Sequence, residues 1–186
     1  NKATCIYANY LEPKERARLA LFLTVADRAA VQSAAEPGNV SALYWQAYAL
    51  GRYSQGISVA KALAQGVGDK VKSALETAIL LQPMHAEARL CLGAFHAEVI
   101  DKVGPLIGTM TYGVKKEISL ALFQQSLRLI PQSAIAMMEY ANALIMLEGD
   151  AAMAQATELY ERAATSKPQD AMEHLDKELA QTLLAS

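Results

Sequence analysis

Proline recurs in this 186-residue chain at the points where amphipathic runs stop. AILLQP ends at Pro83, SLRLIP at Pro131 and AATSKP at Pro168, and Pro37 supplies an earlier beat of the same kind. Proline has no amide N–H, and its ring clashes with the preceding turn, so a helix ends at or before the residue ahead of it. Successive separations are 46, 48 and 37 residues, each long enough for two helices and their turns. A single pair of helices cannot bury its apolar face alone, so such spacing constrains the chain to an all-α array in which consecutive pairs stack.

The runs between the prolines carry helical periodicity. Ahead of Pro37, Leu19, Phe22, Leu23, Ala26 and Ala30 form a stripe in a helical region placed at 12–36. Pro13 falls where a first helical turn tolerates it. Pro37-Gly38-Asn39 is turn chemistry. A first unit, 40–83, holds SALYWQAYALGRYSQ, a short helical stretch at 58–64, and a second helix with Val71, Leu75, Ala78 and Ile79 in register and Asp69 as its expected cap. A second unit, 84–131, holds HAEARLCLGAFHAEVIDKV and KKEISLALFQQSLRLI. A third, 132–168, holds SAIAMMEYANALIML and AMAQATELYERAA, separated by Glu148-Gly149-Asp150. Asp170 and Glu173 then give a D-x-x-E start for a capping helix at 170–185, with Met172, Leu175, Leu179 and Leu183 expected on its buried stripe. The whole of 1–186 reads as one domain.

Charge and motif content exclude several classes. The formal charge is −2 and no basic stripe exists, so nucleic acid is not an expected partner. No apolar run reaches the ~18 residues of a membrane span, so no transmembrane segment is expected. G-x-S-x-G, Walker and H-E-x-x-H patterns are missing, and no catalysis, cofactor or metal is expected. Cys5 and Cys91 are far apart in sequence and fit a reducing compartment, with Cys91 expected as a buried thiol inside LCLGAF. A cytoplasmic location follows, or a periplasmic one if a leader preceded Asn1.

The last unit resembles the tetratricopeptide repeat family. It places Tyr140-Ala141 mid-way in its first helix and Ala156, Tyr160, Ala163 and Pro168 in the positions that family uses in its second. The middle unit matches more loosely, with Leu92-Gly93, Ser119, Phe123, Ser126 and Pro131. The unit before it offers Trp45, Tyr48-Ala49, Val71, Leu75, Ala78 and Pro83. The stretch from Leu92 to Ile118 also looks like uncharacterised bacterial tetratricopeptide-like proteins, and the overall layout is remotely similar to regulator-of-microtubule-dynamics proteins. The resemblance spans roughly 40–168 and implies a right-handed superhelical array with terminal capping helices. It also implies that first-helix residues line an inner groove: Gln46, Leu50 and Tyr53, then Glu87, Leu90, Ala94 and Glu98, then Met138, Asn142 and Met146. The implied function is a protein- or peptide-binding scaffold.

Two other features keep alternatives open. Residues 104–113 contain three glycines and a proline, no charge, and Leu106, Ile107, Met110 and Tyr112. Such a segment is a buried insertion, a partner or ligand surface, or a membrane-surface dip flanked by Lys115 and Lys116. A pocket lined by it would make the protein a small-ligand carrier, and exposed apolar surface would serve homodimerisation. His96 and Glu98 suggest an enzyme, but two residues apart on a helix they point about 200° from each other. The same reading pairs Glu98 with Lys102 at i,i+4. Tyr44, Trp45, Tyr48 and Tyr53 cluster at helical spacing and are expected to be core.

Overall fold

The computed structural model describes residues 1–185 and is all-α, with no strand among the described residues. Eleven α-helices run in order: α1 Lys2–Ile6, α2 Glu15–Ala35, α3 Val40–Gln55, α4 Val59–Ala64, α5 Val67–Leu81, α6 Ala86–Val103, α7 Pro105–Tyr112, α8 Lys116–Leu129, α9 Ala134–Glu148, α10 Met153–Ala164 and α11 Ala171–Leu184. A π-helical turn, Tyr7–Leu11, continues α1, and a 3₁₀ turn, Gly149–Ala152, leads into α10.

Four of the six prolines each open a three-residue junction. Pro37, Pro83, Pro131 and Pro168 are each followed two residues later by a side chain that caps the next helix: Asn39, His85, Ser133 and Asp170. Asn39 Oδ1 accepts from Ala42 N–H at 3.0 Å, and His85 Nδ1 accepts from Ala88 N–H at 3.3 Å. Ser133 Oγ accepts from Ala136 N–H at 3.4 Å, and Asp170 Oδ1 from Glu173 N–H at 2.9 Å. At the first three junctions the cap residue's own N–H returns to a carbonyl three residues back, on Glu36, Gln82 and Ile130. Pro37, Pro83 and Pro131 stand two residues past the helix they stop, whereas α10 ends at Ala164, four residues ahead of Pro168. At each junction the cap supplies an acceptor for an N–H that the next helix leaves unpaired. This recurrence, with neighbouring helices packed on one another, is helix packing compatible with a helical repeat.

The chain divides into two compact units, Asn1–Cys91 and Leu92–Ser186, with the boundary inside α6. In the first unit α3 is the central helix, packed on α2 and on α5, while α1 abuts α2 and α4 abuts α5. Its core is built from Phe22, Val25, Ala42, Ala49, Val71, Leu75 and Ala78. In the second unit α9 packs on α8, α10 and α11, and the core holds Phe123, Ala141, Leu144, Ala156 and Ala163. Gly93 lies against the second helix of its pair. A Cβ placed on it would meet two ring carbons of Phe123 at 3.1 Å and the backbone oxygen of Ser119 at 3.3 Å. Ser119 Oγ donates to Gly93 O at 2.8 Å, and the Phe123 ring stacks on Tyr140 with centroids 5.3 Å apart.

Several expectations are corrected. Asp69 does not cap α5: that helix begins at Val67, so Asp69 stands in its first turn. The N-terminal helical region starts at Glu15, two residues after Pro13, and the first eleven residues, which lack strong signals, contain α1 and the π turn. The buried residues of α2 are Phe22, Val25, Ala26 and Ala29, while Leu23 is exposed. In α11 the buried residues are Asp176 and Ala180, and Leu179 and Leu183 are exposed. The cause is common to both helices. In each the packed line runs at helical spacing, through Phe22, Val25, Ala26 and Ala29 or through Asp176 and Ala180, and the exposed leucines stand off that line. Cys91 is half-buried, and the fully buried thiol is Cys5.

Candidate functional site

In the first unit, α3 and the start of α6 bring together an aromatic and polar cluster. Tyr44 contacts Trp45 edge-on at 4.9 Å between centroids, and Trp45 meets Tyr48 edge-on at 5.4 Å. The Arg52 guanidinium, one turn beyond Tyr48, lies 5.4 Å from that ring. Tyr44 and Tyr48 are buried, as the spacing suggests, and Trp45 is half-buried. Burial pushes the Tyr48 phenol up to about 12 and raises Tyr44 well above the ordinary tyrosine range. Both are neutral donors at any physiological pH, without the character of a general base.

His85 is the pivot of this cluster as well as the cap of α6. Its ring sits 5.0 Å from Tyr44, and its Nδ1 lies 3.1 Å from Glu87 Oε2. One nitrogen cannot serve both neighbours in the same way. Neutral, Nδ1 accepts from Ala88; protonated, it donates to Glu87. The hydrogen bond from His85 is the main reason that the Glu87 carboxyl is held below its ordinary value, against a smaller opposing effect of burial.

The residues placed on the inner groove by resemblance divide by exposure. In the first unit, Tyr53 and Leu50 are buried, with Lys61 Nζ 5.9 Å from the Tyr53 ring, and Leu90 is buried. Gln46 is half-buried and accepts from Ser33 Oγ at 3.5 Å, while Glu87 is exposed. In the second unit, Met138 is buried, Glu98 is half-buried beside Lys102 at 4.0 Å, and Met146 is exposed. Asn142, half-buried, accepts a short hydrogen bond from the Tyr160 hydroxyl. That bond ties α9 to α10, a role the sequence pattern does not signal. Gln46, Glu87, Glu98, Asn142 and Met146 therefore keep accessible surface, and Tyr53, Leu90 and Met138 act as packing.

Residues 104–113 form α7 and its two glycine caps, Gly104 and Gly113, both at positive φ. Gly108 is the buried residue of α7: a Cβ there would lie 2.8 Å from Val114 and 3.2 Å from Val99. Tyr112 is half-buried, edge-on to Phe95 at 5.8 Å between centroids. Leu106, Ile107 and Met110 are exposed, so the reading of this segment as a buried insertion is corrected.

His96 is buried, and its Nδ1 accepts from the Lys115 backbone N–H at 3.0 Å. The ring thereby fixes the residue that precedes α8. Among the described residues, no group of three or more His, Cys, Asp and Glu is placed to hold a metal ion. No helix among them is long and apolar enough to cross a membrane. No protein-family model matches the chain, and no curated protein matches it in sequence.

Proposed function

We propose that this chain is a right-handed superhelical array of tetratricopeptide-like helix pairs that binds a segment of another protein and carries out no catalysis. The observation that supports the reading is the meeting of Gly93 with Phe123 and Ser119, which are the positions where that repeat sets a small residue against an aromatic one. The recurring proline-and-cap junctions support a repeat independently. Binding would rest on Gln46, Glu87, Glu98 and Met146, whose exposed or half-exposed side chains can exchange water for a partner's groups.

The two alternatives have less support. A small-ligand pocket lined by α7 requires Leu106, Ile107 and Met110 to face inward, and they face solvent. Chemistry at His96 requires a free Nδ1 or a cleft at the ring, and that nitrogen already accepts from Lys115.

The test is affinity capture with wild type and with a Gln46→Lys, Glu87→Lys, Glu98→Lys variant, both checked for folding by circular dichroism. Asn142 is left intact because its oxygen serves Tyr160. A purified partner held by wild type and released by the folded variant supports the binding scaffold. A partner held equally by both refutes the assignment of these residues, and no partner at all refutes the scaffold.

A further inference from the structure

Of the side chains that cap a helix after a proline junction, His85 alone changes charge near neutral pH. Asn39 and Ser133 do not ionise there, and Asp170 accepts as a carboxylate. Histidine ordinarily charges between about pH 5 and 8. An imidazole nitrogen accepts a hydrogen bond only while it carries no proton. His85 Nδ1 lies 3.3 Å from Ala88 N and 3.1 Å from Glu87 Oε2, so a donor and an acceptor compete for one atom.

We propose that His85 is a charge-gated cap: neutral, it closes the first turn of α6 on Ala88, and protonated, it releases Ala88 and clamps the Glu87 carboxylate. The groups around the ring support such an exchange. From α3, Tyr44 lies against the imidazole at 5.0 Å between centroids, and its buried phenol stays neutral. Arg52, further along α3, and Cys91 of α6 act on Tyr44. On α6 itself Glu87 is the nearby carboxylate, and Arg89 stands one turn beyond His85. The Glu87 carboxyl is held below its ordinary value, by the bond from His85 above all and more weakly by Lys2 of α1, so it is ionised wherever the ring charges. The positive end of the α6 dipole opposes a proton on His85, and the Glu87 carboxylate offsets that. Two backbone bonds hold the junction in either state: His85 N–H to Gln82 O at 3.0 Å and Arg89 N–H to His85 O at 3.4 Å. The exchange therefore loosens one amide without unfolding the unit. Glu87 is among the exposed residues assigned to partner binding, and in acid its carboxylate is committed to His85 instead. That consequence rests on the binding reading, whereas the cap exchange does not.

The experiment is NMR of the full chain, labelled with nitrogen-15 and carbon-13, between about pH 8 and 5. It follows the His85 ring nitrogens, the Ala88 amide and the Glu87 carboxyl carbon. Exchange of the Ala88 amide with water, corrected for its intrinsic dependence on pH, should quicken about fivefold as Nδ1 gains its proton, the effect of losing one cap. The Glu87 carbon should move with the same midpoint as the ring. His85→Asn places at this junction the acceptor that Asn39 supplies at the first, and should keep Ala88 protected throughout and remove the Glu87 movement. A ring that charges while Ala88 stays protected overturns the gated cap, as does a ring that never charges in this range. A Glu87 carbon that ignores the ring overturns the clamp. An Ala88 titration that survives in His85→Asn belongs to another group and overturns the proposal entirely.

Discussion

Gly93 gives the sharpest test of the packing. Replacing glycine by alanine in a helix interior normally stabilises by about 0.8–1.0 kcal/mol, through helix propensity alone. At Gly93 the added methyl must sit 3.1 Å from two carbons of the Phe123 ring and 3.3 Å from Ser119 O. Neither can yield easily. Phe123 is fully buried and stacked on Tyr140, and Ser119 O belongs to the α8 backbone. Overpacking of a filled core costs about 1–3 kcal/mol, so Gly93→Ala should be net destabilising by roughly 1 kcal/mol and Gly93→Leu by roughly 3 kcal/mol. Gly51 is the control, because it lies inside α3 and a Cβ there meets nothing within 4 Å. Gly51→Ala should show the propensity gain undiminished, at about 0.8–1.0 kcal/mol. Urea unfolding followed by circular dichroism reads all three, and with a slope of about 2 kcal/mol/M each kcal/mol moves the midpoint by about 0.5 M. A Phe123→Leu background should relieve Gly93→Ala, giving a coupling above about 0.5 kcal/mol in a double-mutant cycle. If Gly93→Ala stabilised as much as Gly51→Ala, the close approach of α6 and α8 would be wrong.

Further outcomes follow from individual side chains. Burial pushes the Cys5 thiol up to about 12, so its thiolate fraction at pH 8 is about one in ten thousand; Cys91 should react with a thiol reagent in the native state while Cys5 waits for unfolding, and equal rates would refute this. His96→Leu strands the Lys115 N–H and should cost about 1–3 kcal/mol, read as a lower urea midpoint; an unchanged midpoint would remove His96 from that role. Ser133→Ala removes the cap of α9 and should cost about 0.5–2 kcal/mol by the same readout. The Glu87 carboxyl is lowered in the folded state, so its contribution is full above the ordinary carboxylate range and disappears as pH falls through the folded value. The midpoint difference between wild type and Glu87→Gln should therefore be lost as pH falls through and below the ordinary carboxylate range, and a difference that persists there at full size would refute the lowered carboxyl.

The element plan was legible because its signals are local. Prolines, the D-x-x-E start at Asp170, and the helical run of 40–55 depend on neighbours in sequence, and the structure follows them within a residue or two. Burial was less legible, because it depends on which face a neighbouring helix chooses. Long aliphatic residues mark a helical stripe well, yet in an alanine-rich chain the contact line falls on Ala29 and Ala180, and Leu23 and Leu179 stand beside it. Helix α7 was concealed by its glycines, which gave no helical signal although two of them are caps and the third is a contact. The candidate binding residues were legible as positions on first helices but not as exposed surface. Tyr53, Leu90 and Met138 occupy those positions and are packed, and the bond between Tyr160 and Asn142 joins residues 18 apart in sequence.

In each unit, most helix pairings link helices that are adjacent or one apart in the chain: α2 with α3, α3 with α5 across the short α4, α8 with α9, α9 with α10, and α10 with α11. Closing loops this short costs little entropy, so native contacts can form at a rate set by local search. The order of synthesis is then also a workable order of assembly. As α3 leaves the ribosome, α2 is already present to receive it, and Asn39 has already marked where the new helix begins. A nascent chain built this way leaves few contact faces waiting: that of its newest helix, and those of α3 and α9 until α5 and α11 follow.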